Sequence, residues 1–137
     1  MQYDYIVIGS GSGGAAVAGR LSEDGRTTVC LLEAGGKDLH PFIHIPVLFP
    51  HLLTNPKTTW LRKSEPVPGL NGRPMFFPSG KVLGGSSSIN GMLYIRGQAQ
   101  DYDDWRDAGN NGWGWEEVLP HYKNMEDHAH GGNDAHG

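Results

Sequence analysis

Tyr3-Asp-Tyr-Ile-Val-Ile-Gly-Ser-Gly-Ser-Gly-Gly14 decides the fold of this chain. Its first half, Tyr3 to Ile8, is a β-branched and aromatic run with little polar alternation, the pattern of a strand buried on both faces of a parallel sheet. It runs straight into Gly9-x-Gly11-x-x-Gly14. Next, Ala15-Ala-Val-Ala-Gly-Arg-Leu21 predicts a small-residue helix, and Thr28-Val-Cys-Leu-Leu32 a second apolar strand. Glu33 closes that strand about two dozen residues after Gly9, where a dinucleotide-binding unit carries its ribose-binding acid. Strand, glycine turn, helix, strand and acid in this order predict a Rossmann-like βαβ unit within an α/β fold.

Each position has a physical reason. Gly9 permits the tight turn, Gly11 lets the backbone approach a pyrophosphate, and Gly14 lets helix and strand pack closely. The helix start offers unpaired N–H groups and a positive dipole end to phosphates. An acid at Glu33 accepts hydrogen bonds from ribose hydroxyls and repels a 2′-phosphate, which argues against NADP. The fingerprint alone does not separate FAD from NAD.

Composition narrows the class. The 137 residues include 21 Gly, roughly double the usual share, as expected where backbone builds the site. The net charge of −4 and the lack of a basic run argue against nucleic acid and anionic membrane surfaces as partners. No apolar stretch approaches the roughly 20 residues that span a bilayer. The first strand leaves no room for a signal peptide. Cys30 is the one cysteine and falls in a predicted buried strand, so no internal disulfide forms. A cytoplasmic setting fits, with no local signal for peripheral membrane association. Only two convincing parallel strands are present, so a domain built from these pieces alone would be short of core. That predicts a sheet completed by further sequence.

From Gly35 to Pro56 the chain reads as loop with a short apolar piece, Ile43 to Phe49, which Pro46 and Pro50 keep from forming a long helix. Thr58–Glu65 and Arg73–Phe77 are expected to pair as a hairpin, with Asn71-Gly72 as turn chemistry. Trp60 would lie on that hairpin, as a cofactor contact or as packing. At Gly80 a second glycine cluster begins: Gly80-Lys-Val-Leu-Gly-Gly-Ser-Ser-Ser-Ile-Asn-Gly-Met-Leu-Tyr-Ile-Arg-Gly97. Its small residues let backbone lie against a planar ligand or curl around phosphate oxygens. A flexible linker is the alternative, but Val82-Leu83 and Ile89 with Met92 to Ile95 are too apolar for one. Two such loops suggest a long cofactor held at both ends, which points to FAD.

Gly80 to Asp103 resembles the first signature of the glucose–methanol–choline (GMC) oxidoreductases, and the opening segment resembles the FAD motif of the same family, including Leu31-Leu-Glu-Ala-Gly-Gly36. Similarity extends over essentially the whole chain, and is strongest to bacterial choline dehydrogenases and aliphatic alcohol dehydrogenases. It covers the N-terminal quarter or so of a typical member. The implied organisation is an ADP-binding βαβ over 1–36, a loop and hairpin over 37–79, the signature loop over 80–103, and helices over 104–137 leading toward a substrate domain.

The resemblance implies an FAD-dependent oxidation of a primary alcohol, choline-like or alkanol, to an aldehyde, with hydride passing to flavin N5 and electrons going on to an acceptor the sequence leaves open. The implied cofactor-binding residues are Gly9, Ser10, Gly11, Ser12, Gly13, Gly14, Glu33 and Ala34 in the first region, then Trp60, Val82, Gly84, Gly85, Ser86, Asn90, Gly91, Met92 and Leu93. Some members attach FAD through a His just before the Asn. Here that residue is Ile89, which predicts non-covalent FAD. The family's catalytic His lies near the C-terminus of its members, so no catalytic residue is expected in this chain. His128, His130 and His136 sit among Gly, Ala, Asn and Asp and read as a solvated loop rather than a metal site. Trp105, Trp113 and Trp115 read as packing. Two other functions fit the same motifs: an FAD-retaining hydroxynitrile-lyase-like member, and a stand-alone nucleotide-binding module without catalysis.

Overall fold

A computed structural model describes residues 2–137. The chain forms two units, one running to Leu93 and a second, Tyr94–Gly137. The division falls inside the 80–103 segment.

The first unit opens with β1, Tyr5–Ile8, then α1, Ser12–Ser22, and β2, Val29–Leu32. β1 and β2 pair in parallel with Tyr5 opposite Val29 and Ile8 opposite Leu32. Parallel neighbours need a crossover, and α1 is that crossover. Side chains pin its ends. The Asp4 carboxylate accepts from the Thr28 N–H and hydroxyl at 2.8 and 2.7 Å. Asp24 turns the chain from α1 into β2 by accepting from the Arg26 and Thr27 N–H groups at 2.9 and 2.8 Å.

The sequence predicts burial of β1 on both faces, and the structure differs. Ile6 is 63% exposed and Ile8 84%, and Cys30 is only half-buried. The sheet has two strands and one helix against it, so the apolar faces outrun the cover available. Val7 is the better-covered residue of β1, beneath Gly14 of α1.

Between the sheets, Pro41–Ile43 and Pro46–Leu48 form single 3₁₀ turns, followed by the short α2, Phe49–Leu52. Prolines at the starts of these turns cost no hydrogen bond. α2 brings Leu52 into a core with Val82 and Ile89, each at most 2% exposed, and Phe42, Ile43 and Leu53 pack around them. The hydroxyls of Thr58 and Thr59 donate to the Leu52 carbonyl at 3.2 and 2.7 Å, closing the α2 end. Of the apolar flanks of the second glycine cluster, Val82 and Ile89 are therefore core, whereas Leu83, Met92, Leu93, Tyr94 and Ile95 stay 45–84% exposed.

β3, Thr59–Lys63, pairs antiparallel with β4, Phe76–Gly80. The returning strand lies further along than the expected Arg73–Phe77. A 3₁₀ turn at Pro68–Leu70 leads into Asn71 and Gly72, both left-handed, and widens the tip. Val67 and Arg73 make one isolated bridge there. Pro78 stands opposite Leu61 on this two-stranded ribbon, where an edge tolerates the missing donor.

The second unit holds α3, Ala99–Asp107, and α4, Trp115–Met125. Asp101 caps α3 by accepting from the Gln98 N–H at 2.8 Å. Tyr102, 6% exposed, is its centre: its ring meets Trp105, Trp115 and Tyr122 at 5.4–6.1 Å, and its hydroxyl bonds that of Tyr122 at 2.7 Å. Arg96 packs over Tyr122 and pairs with Glu126 at 2.7 Å. Trp113 meets Trp105 edge-on. All three tryptophans serve this packing. Pro120 lies inside α4.

Candidate functional site

The N-terminus of α1 has an extended N-cap at Gly11, no side-chain cap and no acidic residue in its first turn. Its leading N–H groups are therefore open to a ligand, at the positive end of the helix dipole. A Cβ on Gly14 would collide with the Gly9 carbonyl, so the close crossing of helix and strand requires glycine.

Gly9, Gly11, Ser12, Gly13 and Gly14 form one wall of a cleft of about 750 Å³. Glu33 and Ala34 line it from the end of β2, Trp60 from β3, and Gly85 and Ser86 from the second glycine cluster. That volume lies within the range of small-molecule sites. Gly84 and Gly85 have φ of +89° and +57°, a pair of left-handed residues that only glycine adopts freely. The bend brings Gly85 against Gly11, where a Cβ would lie 2.8 Å from the Gly11 Cα. Two loops far apart in sequence thus share one mouth.

Glu33 is held on both oxygens. Oε2 accepts from the Ser10 N–H at 2.9 Å and from the Ser10 hydroxyl at 2.7 Å, and Oε1 accepts from the Gly35 N–H at 2.8 Å. The Ser10 N–H leads the Gly35, Ser10 hydroxyl and Ala34 donors in holding its carboxyl below the usual range, against partial burial that pushes it up. Glu33 stays an acceptor at neutral pH, with lone pairs left for a ribose hydroxyl.

Other expected residues lie away from the cleft. Ser10 is 2% exposed, with its hydroxyl committed to Glu33 and to the Gly84 N–H at 3.0 Å, so it sits beneath the loop rather than in the cleft. Val82 is core, 1% exposed, because its apolar side chain packs with Leu52. Gly84 lies behind the mouth, held by Ser10. Asn90 and Met92 line a second cavity of about 260 Å³ with Asp38, His44, Phe49 and Ser88. Met92 adopts a left-handed φ of +57°, its N–H donating to Asn90 Oδ1 at 2.8 Å. Gly91 faces the Phe49 ring, and Leu93 is 84% exposed.

The cleft also includes Ile8, Leu32, Arg62, Ser79 and Gly80, which the sequence did not single out. Arg62 was within reach of a period-two argument, since it follows Trp60 by two on one strand face. Its guanidinium lies 5.6 Å from the Trp60 ring centre, and the Lys81 ammonium 4.4 Å. Ser79 and Gly80 depend on the hairpin register, which only the wide tip sets.

His136 stacks on His128 at 4.6 Å and pairs with Glu126 at 2.9 Å. Among the described residues, no group of three or more His, Cys, Asp or Glu is arranged to hold a metal ion, and no helix is long and apolar enough to cross a membrane.

Comparison with known proteins gives a consistent result. The family profile "GMC oxidoreductase" matches residues 3–134. An oxygen-dependent choline dehydrogenase from Sinorhizobium fredii is 53% identical over 98% of this chain, which covers 24% of that protein. Pyridoxine 4-oxidase from Mesorbium loti superposes with a TM-score of 0.91 at 39% identity, covering 99% of this chain and 27% of that one. An FAD-dependent oxidoreductase from Chaetomium thermophilum gives 0.74 at 37% identity, covering 89% of this chain and 20% of that one. The chain thus spans about a quarter of the length of the curated relatives it matches.

Proposed function

The chain belongs to the GMC oxidoreductase family, and from that premise we propose that it is the N-terminal, FAD-holding part of a flavin-dependent alcohol dehydrogenase. The observation that carries this reading is the single cleft walled by the uncapped start of α1, by Glu33 and by Gly85-Ser86. Its donors and its acid suit the ADP half of the cofactor. Free N–H groups of Gly11 to Gly14 bind pyrophosphate oxygens. The Glu33 carboxylate accepts the ribose hydroxyls and rejects a 2′-phosphate. Trp60 offers an apolar wall, with cations at Arg62 and Lys81 beside it. In the second loop, Asn90 and Met92, which line the separate smaller cavity, and Gly91 are the residues that would lie toward the reactive ring.

Bound there, the flavin supplies the hydride acceptor for oxidation of a primary alcohol, choline-like or alkanol, to an aldehyde. This chain's residues bind and orient it, and the base that takes the hydroxyl proton belongs to sequence outside these 137 residues. Ile89, aliphatic and 2% exposed in the core, supports non-covalent attachment. The open apolar faces of β1 and β2 support a part of a larger protein over a stand-alone module.

The test is the visible spectrum of the full-length protein, recorded without oxygen before and after adding a panel of alcohols. A flavin band that bleaches with one alcohol is the expected result. A yellow protein that no alcohol bleaches would favour the lyase-like alternative, and a colourless protein that FAD cannot reconstitute would sink the proposal. Acid precipitation should leave the flavin in the supernatant. Flavin that pellets with protein would overturn non-covalent binding.

A further inference from the structure

Ser10 occupies the second position of the fingerprint, commonly treated as a spacer between two glycines. It is 2% exposed and ties its own turn to two other segments, at Glu33 and Gly84, through one hydroxyl and one amide. The hydroxyl donates its single proton to Glu33 Oε2 at 2.7 Å and accepts from the Gly84 N–H at 3.0 Å, while its N–H donates to the same Glu33 oxygen at 2.9 Å. A hydroxyl has one donor, so none remains for a ligand. The bonds run in one direction: the Gly84 amide polarises the serine hydroxyl, and the hydroxyl feeds the carboxylate.

We propose that Ser10 is a positioning residue, which docks the second glycine loop onto the first and fixes the Glu33 carboxylate in the orientation that receives the FAD ribose. The inference rests on the cleft being the FAD site. Its chemistry belongs to the side chain of this chain, since glycine or alanine at position 10 would keep the turn and lose the hydroxyl bridge. Ser10 supports Glu33 in two ways, by orienting it and by keeping it ionised as the medium turns acid. Besides Glu33, the charged side chain lining the cleft is Arg62 on β3, and Lys81 lies over the ring of Trp60. A change of binding in acid that Glu33→Gln abolishes reports the carboxylate.

The experiment measures FAD affinity of the full-length apoprotein, by quenching of flavin fluorescence, from neutral into acid pH. Ser10→Ala should weaken FAD binding roughly tenfold, the loss of one hydrogen bond to a charged group. It should also move the midpoint of acid-induced flavin release to higher pH, because Glu33 loses a donor that favours its charged form. Ser10→Cys keeps a weak donor at similar volume and should fall between the two, and it carries the test if Ser10→Ala does not fold. In a Glu33→Gln background the substitution at position 10 should no longer shift the midpoint. Wild-type protein that binds FAD, alongside Ser10→Ala with unchanged affinity and midpoint, would overturn the positioning role alone. A loss of affinity equal at every pH would do the same, since it reports packing only. Wild-type protein that binds no FAD would overturn the assignment of the cleft and this inference with it.

Discussion

Glu33 shows how a single side chain ties stability to pH. Its carboxyl titrates below the usual range in the folded chain, chiefly because the Ser10 N–H donates to it. A group with a lowered folded pKa contributes stability that is present above its unfolded pKa and is lost as pH falls through the folded value. The full-length protein should therefore lose urea resistance as it is acidified through the carboxylate range. Glu33→Gln should flatten that part of the profile, and an unchanged acid limb would refute the contribution. The acid itself was legible in the sequence because its spacing from Gly9 is set by the length of one crossover. Its partners were not. Nothing in the linear sequence says that the Ser10 hydroxyl turns inward to Gly84, as that contact joins residues 74 apart. Val82 illustrates the same limit, for a residue inside a glycine-rich signature reads as ligand-facing until the core that claims it is seen.

At the scale of elements, local chemistry was read well and long-range register poorly. The βαβ order follows from a glycine turn and apolar runs that act within a few residues of themselves. The β3–β4 pairing was legible as a hairpin, but its tip was not. A two-residue turn at Asn71-Gly72 would have placed Arg73 in the strand, whereas the 3₁₀ turn at Pro68–Leu70 consumes residues first and shifts the return to Phe76–Gly80. Trp115, Val118, Leu119 and Tyr122 of α4 recur at helical spacing, which puts them on one face. Pro120 within that helix removes the bond its N–H would make to the Glu116 carbonyl. Pro120→Ala should raise the stability of the second unit by about 2 kcal/mol, seen as a higher melting temperature. A lower one would mean that the proline's restraint on the unfolded chain outweighs the missing bond.

For the molecule as a whole, the outcome turns on cover. Burial of β1 is expected on both faces because its composition is that of an interior strand, yet the two-stranded sheet these residues form leaves much of it uncovered. In these residues Ile6, Ile8 and Leu32 remain 63, 84 and 49% exposed. Apolar surface of that kind marks a place where further protein packs. The isolated 137 residues should therefore bind the dye ANS strongly and self-associate. The full-length protein should bind little dye, and equal binding by both would argue that the faces are not covered by the rest of the chain.

The Ser10 bridge also sets an order of events during synthesis. The clasp between Asp4 and Thr28 closes a span of 24 residues, whereas the Gly84 to Ser10 bond closes one of 74. Chain-closure entropy grows with the logarithm of the span, so the longer one costs about 1 kcal/mol more. A nascent chain completes its first strand pair early, then has to wait for the second loop to leave the ribosome before the mouth of the cleft exists. On the proposed assignment of the cleft, flavin capture would be a late step of maturation, and a chain stalled before residue 84 would carry a finished nucleotide fingerprint with nothing to close over its ligand.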